Sequence, residues 1–213
     1  MNNWYKTLIF ILILANVYIW HLIFSFYFLK PNINFLNVYE GDSALIINKS
    51  GNFLIDAGRK NYVLKPLAST LPFFEKIIDV VIISHADSDH FEGLNTILDN
   101  YKVRLIILND FENTNANYQK LLKKIVNKNI KVVLGVDQAK INSFDFDAQI
   151  LYPDTDQLSN SKTNEKSQVV LINTLNRKWL FTGDITDKIL KEIVIKKNIN
   201  DVDILKVPHH GGK

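Results

Sequence analysis

The chain contains no cysteine. Thiolate metal sites, disulfides and lipid attachment at Cys are therefore excluded, and any bound metal must be held by imidazole nitrogens and oxygen donors. The absence of Cys does not place the compartment. Glycine and proline are also sparse, with 8 and 5 residues in 213. No Gly-rich phosphate loop of the Walker or dinucleotide type occurs, and no GxSxG elbow. No internal repeat with a clean period is present. Charge of one sign is lacking too. A net charge of +3 eases the approach of a polyanion but is not by itself a nucleic-acid footprint. What remains is a globular composition, 47% hydrophobic and 22% charged. The length suits one sizeable domain plus an attachment, not two full domains.

Charge is missing altogether from residues 8 to 29, LIFILILANVYIWHLIFSFYFL. Only Asn16, His21 and Ser25 interrupt this apolar run. At about 1.5 Å per residue it spans about 33 Å, enough for a bilayer core of about 30 Å. Lys6 and Lys30 flank it, and aromatics sit near both ends as interface anchors do. A cleaved signal peptide would have a shorter apolar region, about 7–15 residues, ending at a small-residue site that the run lacks. Residues 1–30 thus read as one uncleaved transmembrane anchor and residues 31–213 as the folded domain. One Lys on each side gives no orientation bias.

Beyond Pro31 and Asn32, short apolar strands alternate with amphipathic helices. Strands are expected at 33–39, 44–48 and 52–56, the last two joined as a hairpin at Lys49-Ser50-Gly51-Asn52. The β-branched runs VVIIS (80–84) and VRLIIL (103–108) read as buried strands. Further strands are expected at 131–135, 146–152, 168–173, 178–183 and 203–207. Helical spacing marks 91–101, 118–128 and 187–197. The segment 153–167 reads as a polar, mobile loop. This order suits two sheets packed face to face with helices outside, a four-layer αββα sandwich of α/β class.

The informative stretch is SHADSDH, 84–90, directly after a buried strand. Loops at the carboxyl ends of such strands are where α/β sheets put their chemistry. His85, Asp87, Asp89 and His90 offer the donors a divalent cation needs when no thiolate is available. Without a cation, clustered carboxylates would repel one another. Two later strand ends add to the set: LFTGD brings Asp184, and LKVPHHGG brings His209 and His210. Four of the five histidines thus fall in two strand-end loops. A bridging carboxylate ringed by strand-end histidines is the arrangement of two-metal hydrolysis.

On the stretches NVYEGDSALI (37–46), FLIDAG (53–58), SHADSDHFEGL (84–94), WLFTGDI (179–185) and DILKVPHHGG (203–212), the chain resembles the metallo-β-lactamase fold hydrolases. More closely, it resembles the extracytoplasmic hydrolase-like domain of the competence protein ComEC. The resemblance covers residues 33 to 213. The family signature HxHxDH stands here as HxDxDH, with Asp87 at the middle position, as in the ComEC-like branch. The resemblance implies that His85 and Asp87 belong to one metal site and Asp89 and His90 to the other. Asp184 would be the bridging carboxylate. His210 would be the final ligand, with His209 facing substrate as proton donor. Asp56 would order the site loop, and Asp89 could also orient the attacking water. Asp42 matches the aspartate of the branch's GQGD motif, so it is a catalytic candidate; it is equally a turn residue after Gly41.

Three departures qualify that assignment. No His lies between His90 and His209, and Asp154, near Tyr152, is a weak substitute; the first metal site would then be poor or empty. HHGG replaces the usual HHGS. The sequence ends where related domains continue with another helix and strand, so the domain is expected to lack its C-terminal end. The implied cofactor is one or two divalent ions, Zn²⁺ or Mn²⁺, and oxygen-rich ligation favours the harder Mn²⁺. The implied function is a membrane-anchored metallohydrolase, extracytoplasmic, acting on phosphodiesters such as DNA in uptake. A phospholipid head group or an amide are other substrates for a stand-alone relative. From a different class comes a degenerate domain that binds nucleic acid or a partner without catalysis. The basic stretch Lys120–Lys131 reads as the solvated face of a helix or as a phosphate contact.

Overall fold

The computed structural model describes residues 4–27, 31–158 and 162–211. The end of the expected anchor (28–30), residues 159–161 of the polar loop, and Gly212 with Lys213 lie outside the described residues. The chain divides into two units, Met1–Lys30 and Pro31–Lys213.

The first unit carries one helix, α1 (Trp4–Tyr27). Its stretch Trp4–Phe24 has a mean hydropathy of 2.2 and is long and apolar enough to cross a membrane. Apolar residues are spread all round this helix and do not form one stripe.

The second unit contains two sheets. The first has β1 (Asn32–Phe35), β2 (Ala44–Asn48), β3 (Gly51–Ile55), β4 (Ile77–Ile82), β5 (Lys102–Leu108) and β6 (Lys131–Leu134), in that order. Pairing is antiparallel from β1 to β3 and parallel from β3 to β6. The second sheet has the order β11 (Ile204–Lys206), β10 (Arg177–Phe181), β9 (Val169–Thr174), β8 (Phe146–Tyr152) and β7 (Lys140–Asn142). Its pairs are antiparallel except β10 with β11, which run parallel. The three parallel steps of the first sheet need crossovers, and these hold α2 (Leu64–Thr70), α3 (Ser88–Asn100) and α4 (Ala116–Asn127). The parallel step in the second sheet is bridged by α5 (Asp187–Lys196).

The two faces of each sheet bury different things, because successive side chains of a strand point to opposite sides. Along β4, Val80 and Ile82 join the core between the sheets, while Val81 and the following Ile83 face the helices. Phe53 and Phe146 stack between the sheets with centroids 3.9 Å apart. On the outer side of the first sheet, Leu67, Phe91, Leu94, Ile97 and Leu121 of the helices cover Leu45, Leu54 and Ile78. On the second sheet, Ile193 of α5 packs with Leu151, Val169 and Leu180. The result is the four-layer αββα sandwich expected from the sequence.

Local differences have local causes. α3 begins at Ser88, not 91, so Asp89 and His90 belong to its first turn. α4 begins at Ala116 because the Asn115 side chain accepts from the N–H groups of Asn117 and Tyr118. Short α2 was not anticipated; its Pro66 lies in the first turn, where an N–H has no helical partner to lose. β7 is three residues long with a polar pattern, too short to carry period two. The polar segment 153–167 contains turns at Thr155–Gln157 and Asn164–Lys166. It ends at the buried Ser167 and Gln168, whose N–H (Gln168) donates to Ser84 O across the sandwich at 2.8 Å.

Candidate metal centre

Strand ends of both sheets meet at one place. Asp56 follows β3, Ser84 and His85 follow β4, Asp184 follows β10, and Lys206 ends β11 ahead of His209 and His210. The β10–β11 register pairs Phe181 with Lys206, which brings the ends that carry Asp184 and His210 alongside each other. Asp42 comes from the β1–β2 loop. That loop lies so close to α3 that a Cβ on Gly41 would stand 1.7 Å from Asp89 O, and Gly41 has φ +83°.

The sequence-derived ligands separate into two groups by distance. His90 Nε2 lies 3.4 Å from Asp184 Oδ2 and 3.8 Å from Asp89 Oδ2. His210 Nε2 lies 3.4 Å from Asp184 Oδ2 and 3.5 Å from Asp89 Oδ2. Each of these two imidazole nitrogens therefore lies within 3.8 Å of both carboxylates. His85 and Asp87 form a neighbouring pair, Nε2 to Oδ2 3.5 Å, with the His85 ring 4.2 Å from that of His90. Asp42 approaches the other nitrogen of His210, Nδ1 to Oδ1 3.3 Å, and is ion-paired with Lys206. One oxygen of Asp42 lies within 4.8 Å of donor atoms of His90, Asp184 and His210. Its contact with Nδ1 makes it a partner that orients the ring, as carboxylates behind ligating histidines do. His209 stands beside this group: its ring centroid is 6.3 Å from that of His210 and the side chain is exposed. Asp154 is elsewhere, ion-paired with Lys196 of α5 at 3.0 Å, and cannot replace the missing histidine. Of the basic stretch in α4, Lys124 pairs with Asp99 at 2.6 Å.

Behind the first row, Asp56 is buried and fully engaged. Its Oδ1 accepts from Ser84 N at 2.7 Å, and its Oδ2 accepts from Ser84 Oγ at 2.8 Å and from His90 Nδ1 at 3.0 Å. With the Ser84 hydroxyl proton committed to Asp56, His85 Nδ1 must donate to Ser84 Oγ, 2.9 Å away. With each Nδ1 engaged, Nε2 is the nitrogen that each ring turns toward the site. Those Nε2 atoms and Asp184 Oδ1 are buried with no hydrogen-bond partner among the described residues. Each orphan of this kind costs about 1–3 kcal/mol unless something occupies it. A divalent cation is the occupant that suits imidazole nitrogen and carboxylate oxygen together, and these residues fit one.

The field at the site favours positive charge. Burial pushes His90 down, but the carboxylates of Asp56 and Asp184 outweigh it and raise His90 to about 10. Burial pushes Asp184 up, yet His90, His85 and Lys206 hold it well below the usual carboxylate range. The neighbouring His85 imidazole lowers Asp87 in the same sense. Without a cation the site holds a proton on His90, which a metal would displace.

Sequence reasoning passed over three participants. Ser84 heads the SHADSDH stretch, Lys206 lies in LKVPHH, and Ser167 ends the polar loop, where its Oγ accepts from Asp184 N at 3.0 Å. Their proximity to motif residues was the available signal, but it did not say which way they point.

The metallo-β-lactamase superfamily model matches residues 36–213. The chain belongs to the metallo-β-lactamase superfamily. Among curated relatives, ComE operon protein 3 of Bacillus subtilis (strain 168) is 25% identical over 205 residues, covering 86% of this chain and 26% of that protein. Recombination protein 2 of Haemophilus influenzae is 27% identical over 191 residues, covering 86% of this chain and 22% of that protein. The chain therefore matches about a quarter of the length of either relative. Among solved structures, a metallo-β-lactamase from Cronobacter sakazakii superposes with a TM-score of 0.56 at 14% identity, covering 83% of this chain and 77% of that one. The metallo-β-lactamase fold protein YhfI from Bacillus subtilis gives 0.53 at 18% identity, covering 78% and 62%. These superpositions establish the fold.

Proposed function

We propose that this superfamily member is a membrane-anchored, metal-dependent hydrolase that cleaves phosphodiesters, with DNA as the substrate class. The observation that carries the hydrolase reading is that the buried Nε2 atoms of His85 and His90 and the Oδ1 of Asp184 have no hydrogen-bond partner among the described residues. Groups this costly to leave unmatched are retained where they bind something. His90, His210, Asp89 and Asp184 would hold the ion, which supplies a Lewis acid and a water made acidic enough to ionise near neutral pH. Asp89, half-buried, would orient the attacking water in steps where it is not tied to the ion. His209, exposed next to His210, is in position to protonate the leaving oxygen. Asp56 and Asp42 hold the rings of His90 and His210 at their Nδ1 atoms. The oxygen-rich donor set favours Mn²⁺ over Zn²⁺. Phosphodiester chemistry and DNA are supported by the likeness to ComE operon protein 3 and Recombination protein 2. Anchoring is supported by the length and apolarity of α1, and an extracytoplasmic domain by the ComEC resemblance.

The test uses the full chain in detergent. Metal content is measured by elemental analysis, and turnover of bis(p-nitrophenyl) phosphate is followed with added Mn²⁺ beside Asp184→Ala. Bound metal with turnover that the variant loses is the expected result. A folded protein with neither metal nor turnover would leave the alternative, a domain that binds nucleic acid or a partner without catalysis.

A further inference from the structure

Resting on the DNA reading of this centre, we infer that Tyr39 is a stacking platform for one base of a single-stranded DNA substrate. Tyr39 lies in the β1–β2 loop, three residues before Asp42, so their Cα atoms are at most about 11 Å apart. Its side chain is 82% exposed. Its backbone is in the left-handed region, with φ +63°. Glycine adopts that conformation freely, whereas a tyrosine there is strained. Within YEGD, the counterpart of GQGD, tyrosine stands at the first glycine. A strained aromatic in water does little for the fold, so the fold does not account for the ring.

The ring is held in place. Tyr39 N donates to Asn37 Oδ1 at 3.2 Å, and Glu40 N donates to Val38 O at 2.7 Å. The loop after β3 is tied to this one: Gly58 N donates to Asp42 O at 2.9 Å, and Arg59 Nη1 donates to both carboxylate oxygens of Glu40 at 2.6 Å. That second loop leads to Tyr62, whose ring is inclined at 60° to Tyr39 with centroids 5.2 Å apart. It is fixed in turn to α3, with Ala57 N donating to His90 O at 2.8 Å and Gly93 N to Gly58 O at 3.0 Å. The two loops thus lock Tyr39 to the backbone of Asp42 and His90. Tyr62 supports the ring and leaves most of it open to water.

A flat, exposed ring held beside a phosphodiester centre suits a nucleobase, because stacking needs only a π-face and no matched hydrogen bonds. The bases of a duplex are already stacked on one another, so the strand that offers a free face is single. A ring fixed in advance also spends little of the stacking energy on ordering. The charge nearby admits a polyanion. Glu40, the acid between Tyr39 and Asp42, is already matched by Arg59. Lys60 is exposed and, among the described residues, makes no ion pair.

The experiment follows a fluorescein-labelled oligothymidine of about ten nucleotides binding to the full chain in detergent, by anisotropy, in chelator so that no strand is cut. Tyr39→Gly, which keeps the left-handed backbone without strain, should bind at least about five-fold weaker, the low end for one lost base stack. Tyr39→Trp keeps a ring and should bind at least as tightly as the native protein. An abasic strand of the same length should bind the native protein and Tyr39→Gly alike. Melting temperature separates recognition from packing: Tyr39→Gly should melt no lower than the native protein, because relief of strain offsets the lost contact with Tyr62. Native protein that binds no oligothymidine, or Tyr39→Gly that binds it undiminished, overturns the inference. So does a loss that the abasic strand shows equally, or one that comes with a fall in melting temperature. Turnover of bis(p-nitrophenyl) phosphate with Mn²⁺ reads the hydrolase separately. Cleavage by the native protein with oligothymidine binding indifferent to Tyr39 sinks the platform alone, whereas binding through Tyr39 without cleavage sinks the hydrolase reading alone.

Discussion

Asp56 holds His90 from behind: its Oδ2 accepts from His90 Nδ1 at 3.0 Å and leaves Nε2 facing Asp184. Asp56 itself has no free oxygen for metal, because Ser84 occupies both. Its carboxylate therefore acts through the imidazole. Asp56→Asn should lower Mn²⁺ affinity about 10–100-fold, the usual cost of losing such a partner. A Mn²⁺ titration measures it, and unchanged affinity would remove Asp56 from the centre.

The raised His90 sets a pH dependence in the absence of metal. A group whose folded value lies above its unfolded one stabilises the fold fully below the unfolded value, about 6.5. That stabilisation is lost as pH rises toward about 10. Melting temperature in a chelator should fall across this window. Added Mn²⁺ competes with the His90 proton, so the gain in melting temperature on adding Mn²⁺ should grow with pH. A metal-induced gain that is flat with pH would contradict the charged state assigned to His90.

The paired histidines of PHHG should separate by readout. His210→Ala removes a nitrogen 3.4 Å from Asp184 and should abolish tight Mn²⁺ binding. His209→Ala should retain the ion and lower turnover about 10²–10⁴-fold, the range for a lost proton donor. Equal loss of metal in both variants would refute the division of roles.

Gly41 tests whether the β1–β2 loop positions the site. Its φ of +83° and the 1.7 Å approach of an added Cβ to Asp89 O leave no room for alanine. Gly41→Ala should destabilise the protein by at least about 1 kcal/mol from backbone strain alone. Displacing Asp89 should also weaken Mn²⁺ binding. Urea unfolding and the same titration check both, and a neutral substitution would mean that the loop is free to move away.

Much of the fold was legible because its signals are local. Buried runs such as VVIIS need no partner to be recognised, and the crossover helices α3, α4 and α5 announce themselves by apolar spacing. β7 and α2 were not legible, since three or seven residues carry too little period. At the site, the sequence by itself determined the donor chemistry. With no cysteine, histidine and aspartate had to serve, and SHADSDH, LFTGD and LKVPHH placed them just past buried strands. Distances across the sandwich were another matter. That Asp154 lies out at α5, that Asp42 meets Nδ1 of His210, and that Lys206 faces Asp184 are set by how the two sheets stack and by the β10–β11 register. Side-chain direction at a strand end depends on neighbours remote in sequence, here Asp56 with Ser84 and Ser167 with Asp184. Only the tertiary structure brings those neighbours together, and so only it decided which carboxylates face the Nε2 atoms of the histidines and which stand behind the rings.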